Sequence, residues 1–155
     1  MSEPIPAGLA ELLEEFSSAS RTEKLEMLLE LSTELPDLPS RYAEDRDGLE
    51  QVHECQSALF LVAEVGPEPE QVVRLYFDAP PEAPTTRGFA SLLRHGLDGA
   101  SATQVLSVPD DFYVRLGLAD AVSPLRLRGM AAMLARIKRQ VREKSATLPA
   151  DAGGL

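Results

Sequence analysis

The sequence predicts an α+β fold, a small antiparallel sheet with helices packed on one face. Three patterns carry that expectation. Apolar residues recur at helical spacing near both ends of the chain, two consecutive β-like runs lie between them around a proline-rich turn, and no internal repeat or composition break divides the 155 residues. A chain of this length builds a core without covalent staples. The expected organisation is a flexible N-terminus at 1–8, one folded domain over 9–147 and a flexible C-terminal tail at 148–155.

Pro4 and Pro6 keep the first residues irregular, and Leu9, Leu12, Leu13 and Phe16 then mark a short amphipathic helix. Ser20 and Glu23 are spaced as a capping box opening a second helix, with Leu25, Leu28, Leu29 and Leu35 on its apolar side and Pro36 as its stop. Ser40 to Glu50 reads as a charged, irregular stretch with a turn at Asp47-Gly48. Ala58 to Val65 is nearly all apolar, Gly66 to Glu70 is a turn, and Val72 to Phe77 is a return strand, so the segment reads as a hairpin covered on both faces.

Three prolines between Asp78 and Pro84 lead the chain off the sheet, and Thr85 or Thr86 is expected to cap a helix with Phe89, Leu92, Leu93 and Leu97 inward. Gly96 and Gly99 are expected to close that helix, and Ser101 and Gln104 form a second capping box. Pro109 ends the short helix that follows, and Asp110 or Asp111 is expected to cap a brief turn ending at Gly117. Ser123 and Pro124 then open a long helix with Leu127, Met130, Ala131, Leu134, Ile137 and Val141 on one side and arginines on the other.

The net charge of −10 is unevenly placed: residues 1–123 hold 8 Lys/Arg against 23 Asp/Glu, and residues 124–155 hold 7 against 2. An acidic body therefore carries one basic helix. Such a body repels phosphates, and no stacking aromatics accompany the basic residues, which argues against nucleic acid. The apolar runs are too short to span a bilayer, and the first residues lack a signal-peptide pattern, so the expectation is a cytoplasmic protein with reduced thiols and no membrane partner.

Chemistry concentrates in Val52-His53-Glu54-Cys55-Gln56-Ser57, which holds the chain's one cysteine. One thiol makes no internal disulfide, no CxxC pair and no cysteine-rich metal centre, so no metal is expected. Two readings remain, a buried spectator and a reactive nucleophile. In an extended segment His53 shares a face with Cys55 and favours its thiolate, while Glu54 opposes that charge. The chain has no phosphate loop, GxSxG or HExxH, and only His53 and His95 as histidines.

The run Val52 to Phe60 resembles the sulfur-acceptor segment of the SufE family, Val-x-Gly-Cys-Gln-Ser followed by an apolar strand. The resemblance extends over about residues 9 to 142: Glu23 to Pro39 resembles the second helix and its leucine-proline exit, and Asp78-Ala79-Pro80 and Arg87-Gly88-Phe89 resemble the loop and helix start after the hairpin. Ser123 to Met130 resembles the (Ser/Thr)-Pro-x-Arg-x-x-Gly-(Leu/Met) opening of the last helix.

The resemblance implies a SufE/IscU-like fold and a carrier that works with an enzyme instead of acting alone. Cys55 would accept persulfide sulfur from a SufS-type cysteine desulfurase, whose PLP belongs to that partner, stimulate it, and pass sulfur to iron-sulfur scaffold proteins. The carrier itself needs no cofactor. His53, Glu54, Gln56 and Ser57 would form the supporting loop, Glu82 aligns with a position that controls the loop, and Arg126 with an arginine near the cysteine. The sequence departs from the family pattern at Glu54 (usually glycine), Phe60 (often tryptophan) and Pro80-Pro81-Glu82 (usually more acidic). The resting thiol is expected to turn toward the apolar hairpin and to emerge on docking. The other function class is a non-catalytic adaptor that binds an acidic partner through the basic last helix, with Cys55 only structural.

Overall fold

Three strands, β1 (Glu50–Gln51), β2 (Phe60–Val65) and β3 (Val73–Asp78), form an antiparallel sheet in the order β1-β2-β3 in the computed structural model, which describes residues 5–55 and 58–146. Leu61 pairs with Phe77, Ala63 with Leu75 and Val65 with Val73. Strand alternation puts these six on one face, against which the long C-terminal helix packs. On the other face Val62, paired with Tyr76, is also buried. That face is roofed by a short helix, α3 (Ser40–Ala43): Tyr42 and Tyr76 have ring centroids 5.4 Å apart, and the Arg41 guanidinium lies 5.1 and 5.2 Å from the two rings. Both faces of the hairpin are thus covered, as its composition implies.

The stretch expected to be irregular contains α3, a 3-10 turn at Arg46–Gly48 and β1. A two-residue polar strand has no periodicity to read. Its place is set from outside, by pairing of Glu50 with Leu61 and Gln51 with Phe60.

Helix α1 (Ala7–Ser17) begins inside the segment assigned to the N-terminal tail and buries Leu9, Leu12 and Phe16. Helix α2 (Arg21–Ser32) opens with the expected capping box: Ser20 N–H donates to Glu23 Oε1 at 2.7 Å, and Glu23 N–H to Ser20 Oγ at 3.2 Å. Its buried side differs from the expected one. Leu25 and Leu29 are 37% and 51% exposed, whereas Leu28 and Leu31 are buried and Leu35 reaches the core from beyond the helix end. The cause is α4 (Pro84–Leu97), which approaches so closely at Gly88 that a Cβ there would sit 2.5 Å from the Leu28 carbonyl oxygen. The Leu28 face is therefore the inward one.

Neither Thr85 nor Thr86 caps α4; Ala83 is the N-cap, without a side-chain bond, and Pro84 supplies a preset helical φ at the first position. Gly96 lies within α4 rather than closing it, packed on Leu9 of α1, and the chain turns at Gly99 with φ +92°. Helix α5 (Ala102–Leu106) carries the second capping box, and α6 (Phe112–Arg115) has Asp111 as N-cap without a side-chain bond. Asp110 instead pairs with Lys138 at 2.8 Å.

Helix α7 (Pro124–Ala146) starts as expected, with Arg126 N–H donating to Ser123 Oγ at 3.3 Å. It buries Met130, Met133, Leu134, Ile137 and Val141, while Leu127 and Ala131 are only half-buried. The polar side is drawn in too: Gln140 Oε1 accepts the Ala63 N–H at 2.7 Å, and buried Lys138 donates to the Val108 carbonyl at 2.6 Å. Among the described residues no helix is long and apolar enough to cross a membrane. The expected tail at 148–155 and residues 1–4 lie outside the described residues.

Candidate functional site

Val52 and Leu59, both fully buried, fasten the base of the cysteine loop, with Val52 N–H donating to the Leu59 carbonyl at 2.9 Å. From this base His53–Cys55 makes a 3-10 turn, closed by Cys55 N–H on the Val52 carbonyl at 3.2 Å. A turn with three residues per revolution does not keep i and i+2 on one face. The extended geometry that would have aligned His53 with Cys55 is therefore absent, and His53 is exposed. Gln56 and Ser57 lie outside the described residues.

Cys55 is half-buried, packs against the hydrophobic core and meets α7 at Gly129. Its Sγ lies 3.7 Å from the Gly129 carbonyl oxygen, a long contact even for a thiol donor. Gly129 is what makes room: a Cβ there would stand 3.1 Å from Sγ and 3.3 Å from the cysteine Cα.

A cavity of about 500 Å³ opens beside the thiol. Glu54, Cys55, Glu82 and Arg126 line it, together with Pro84 to Thr86 at the start of α4 and with Ser123 and Leu125 at the start of α7. Four of the residues singled out by sequence therefore meet in one place; His53 is not among the lining residues.

Burial pushes the Cys55 thiol from its ordinary value of 9.0 up to about 11, the Glu54 carboxylate adds to the rise, and Arg136 partly offsets it. The resting group at neutral pH is the protonated thiol, a poor nucleophile. A raised folded-state value means that the seat's contribution to stability is complete below pH 9.0 and is lost as pH climbs through about 11. The alkylation rate of Cys55 by iodoacetamide should accordingly keep rising to about pH 11; a plateau near 9.0 would show a thiol without this constraint.

Glu54, the departure from the family's glycine, has a definite partner: its carboxylate sits 2.9 Å from Arg136 on α7. Its own backbone N–H, followed by Arg136, holds it below the usual carboxylate range. Arg136 also lies 3.3 Å from Glu50 of β1, and Glu50 in turn meets Arg139 and accepts from Gln140 Nε2 at 2.9 Å. With Lys138 on Asp110, much of the charge on α7 is matched inside the molecule. That weakens the adaptor reading, which needs the charge for an outside partner. Arg136, Glu50 and Gly129 were not singled out by sequence. Gly129 at least falls in the Ser-Pro-x-Arg-x-x-Gly stretch, whereas Arg136 gives no local sign of its role.

Among the described residues no group of three or more His, Cys, Asp or Glu side chains is placed to hold a metal ion. What the site offers chemically is one thiol, half-buried on a short turn, at the edge of a cavity of mixed polar and apolar lining.

The SufE family model, described as an Fe-S metabolism associated domain, matches residues 10–141. An uncharacterised SufE-like protein of Mycobacterium tuberculosis is 56% identical over 139 residues, covering 90% of this chain and 94% of that protein. SufE-like protein 1, chloroplastic/mitochondrial, of Arabidopsis thaliana is 29% identical over 139 residues, covering 89% of this chain but 36% of its own length. A solution structure of a hypothetical protein from Thermus thermophilus superposes with a TM-score of 0.80 at 42% identity, over 93% of this chain and 100% of that one.

Proposed function

The chain belongs to the SufE family, with a role in Fe-S metabolism, and on that premise we propose that Cys55 carries persulfide sulfur from a SufS-type cysteine desulfurase to iron-sulfur cluster assembly. The Cys55 thiolate attacks the terminal sulfur of the donor's cysteine persulfide. The donor's S–S bond breaks, its cysteine leaves as a thiolate, and Cys55 holds the new persulfide. A thiolate on the next acceptor repeats the exchange. PLP serves the donor enzyme, and the carrier contributes the thiol and its surroundings.

The observation that carries this reading is the setting of the chain's one cysteine, at the edge of a cavity that also gathers Glu54, Glu82 and Arg126. A carrier needs a thiol that a second protein can approach yet that small cellular thiols do not readily strip. The half-buried seat of Cys55 suits the second requirement, because it limits access to the sulfur. Seating on a short turn, and not inside a strand, suits the first. The test is intact-protein mass after incubation with an active SufS-type desulfurase, PLP and cysteine. One added sulfur, located on Cys55 by peptide mapping, is expected; an unmodified chain beside a working donor would exclude the role.

A further inference from the structure

We propose that Arg136 is a positioning residue that holds the cysteine turn in its resting place, gripping it through the carboxylate of Glu54. The inference bears on the carrier reading given above, because a held turn is one that must be released for transfer. The holding itself, however, is a property of the isolated chain.

The cysteine turn meets α7 at two places: Cys55 rests on Gly129, and Glu54 meets Arg136 at 2.9 Å. Gly129 and Arg136 lie seven positions apart, two helical turns, which brings them within about 20° of the same stripe of α7. One helix face thus takes both adjacent side chains of the turn. The two contacts differ in kind. The thiol contact is a 3.7 Å approach to a carbonyl, long for a hydrogen bond, whereas the carboxylate contact is short and charge-assisted.

Arg136 suits the task because it is itself fixed. Its side chain is only 20% exposed, and its Nε lies 3.3 Å from Glu50 while Nη1 faces Glu54, so one planar guanidinium bridges β1 and the turn. Glu50 is further held by Arg139 and by Gln140, which also binds the Ala63 N–H in the middle of β2. Arg136 therefore ties the turn to the sheet and the helix together, not to a loose surface chain.

The pair also balances charge at the sulfur. The charged and titratable groups around Cys55 are Glu54 and Arg136 on its own side, Glu82 and Arg126 lining the cavity, and exposed His53 on the turn. Glu54 alone disfavours a thiolate next to it, and Arg136 opposes that effect. A glycine before the cysteine could make neither contact.

Two effects with opposite signs permit a decisive test on the full-length chain. Arg136→Gln removes the grip but leaves the Glu54 charge unopposed. If Arg136 acted only through charge, this variant would carry less thiolate and react more slowly with iodoacetamide. If it positions the turn, the exposed thiol should react about three- to fivefold faster at low salt, the range expected for a partly exposed ion pair. Exposure also relieves the burial that is the main cause of the raised thiol titration, so that titration should move downward, whereas a role through charge alone would move it upward. Glu54→Gln should also react faster, with the titration moving downward, and Arg136→Lys, which can reach only one of the two carboxylates, should restore part of the slow rate. Added salt should speed the wild type toward the variants and leave the variants nearly unchanged.

Amide hydrogen exchange of His53 to Cys55 reads the turn without relying on thiol chemistry, and it should accelerate in both Gln variants. Glu54→Gln removes a half-exposed carboxylate and leaves Arg136 on Glu50, so it keeps the test valid if Arg136→Gln folds poorly. Unchanged exchange in Glu54→Gln, or slower alkylation in a folded Arg136→Gln, would overturn the proposal. Neither measurement uses a desulfurase, so failure of sulfur acceptance would leave this result standing.

Discussion

Cys55→Ser is expected to lose sulfur acceptance completely while the chain stays folded. No other thiol exists to take over. The serine hydroxyl is not ionised in the accessible pH range, and oxygen does not replace sulfur as the attacking atom in thiol–persulfide exchange. The substitution is mild in structural terms: the hydroxyl is smaller, sits in a half-buried seat and can donate to the Gly129 carbonyl that the thiol already faces. A stability change of about 1 kcal/mol or less is expected. Thermal unfolding close to wild type, together with no added sulfur and no stimulation of the donor enzyme, would separate chemistry from folding. A variant that still stimulates the desulfurase fully would return weight to a binding role.

Gly88→Ala should produce the largest loss of stability of any single methyl addition at the α2–α4 contact. The added Cβ would meet the Leu28 carbonyl oxygen at 2.5 Å and the carbonyl carbon at 3.2 Å, and both atoms belong to helix backbone that cannot rotate aside. The helices must separate, which loosens Leu28, Phe89 and Leu92 in the core. A cost of roughly 2–3 kcal/mol is expected for such overpacking. For a chain of this size that lowers Tm by about 5–10 °C, measurable by calorimetry or by urea midpoint. The consequence extends to the site, because α4 begins at the cavity beside Cys55. An unchanged midpoint would mean that the two helices are less closely fitted than their backbones indicate.

Features decided by neighbouring residues were legible in the sequence. The capping boxes at Ser20/Glu23 and Ser101/Gln104, the Ser123-Pro124 helix start and the β2–β3 hairpin all form as their local chemistry requires. Features decided by partners distant in sequence were not. Leu25 and Leu29 suit an apolar stripe as well as Leu28 and Leu31, and only the close approach at Gly88 selects between them. Glu50 and Gln51 become a strand because β2 recruits them, not because they favour one.

The candidate site follows the same division. Residue chemistry alone left Cys55 open between spectator and nucleophile. Likeness to a family drew attention to Glu82 and Arg126, and both line the cavity with Cys55. His53 was valued on the assumption of an extended backbone, which the 3-10 turn removes. Arg136 looked like one more solvated arginine because its partners, Glu50 and Glu54, belong to a distant part of the chain.

The hydrogen bond that joins Val52 to Leu59 sets a limit on distance. Even if the turn between them unwound entirely, Cys55 lies three residue steps along the chain from Val52, and fully extended chain spans at most about 11 Å over that length. A sulfur on so short a leash cannot be handed across a gap. A donor would have to bring its own cysteine to the body of this protein, and shape complementarity near the starts of α4 and α7 would govern the exchange as much as the reactivity of the thiol.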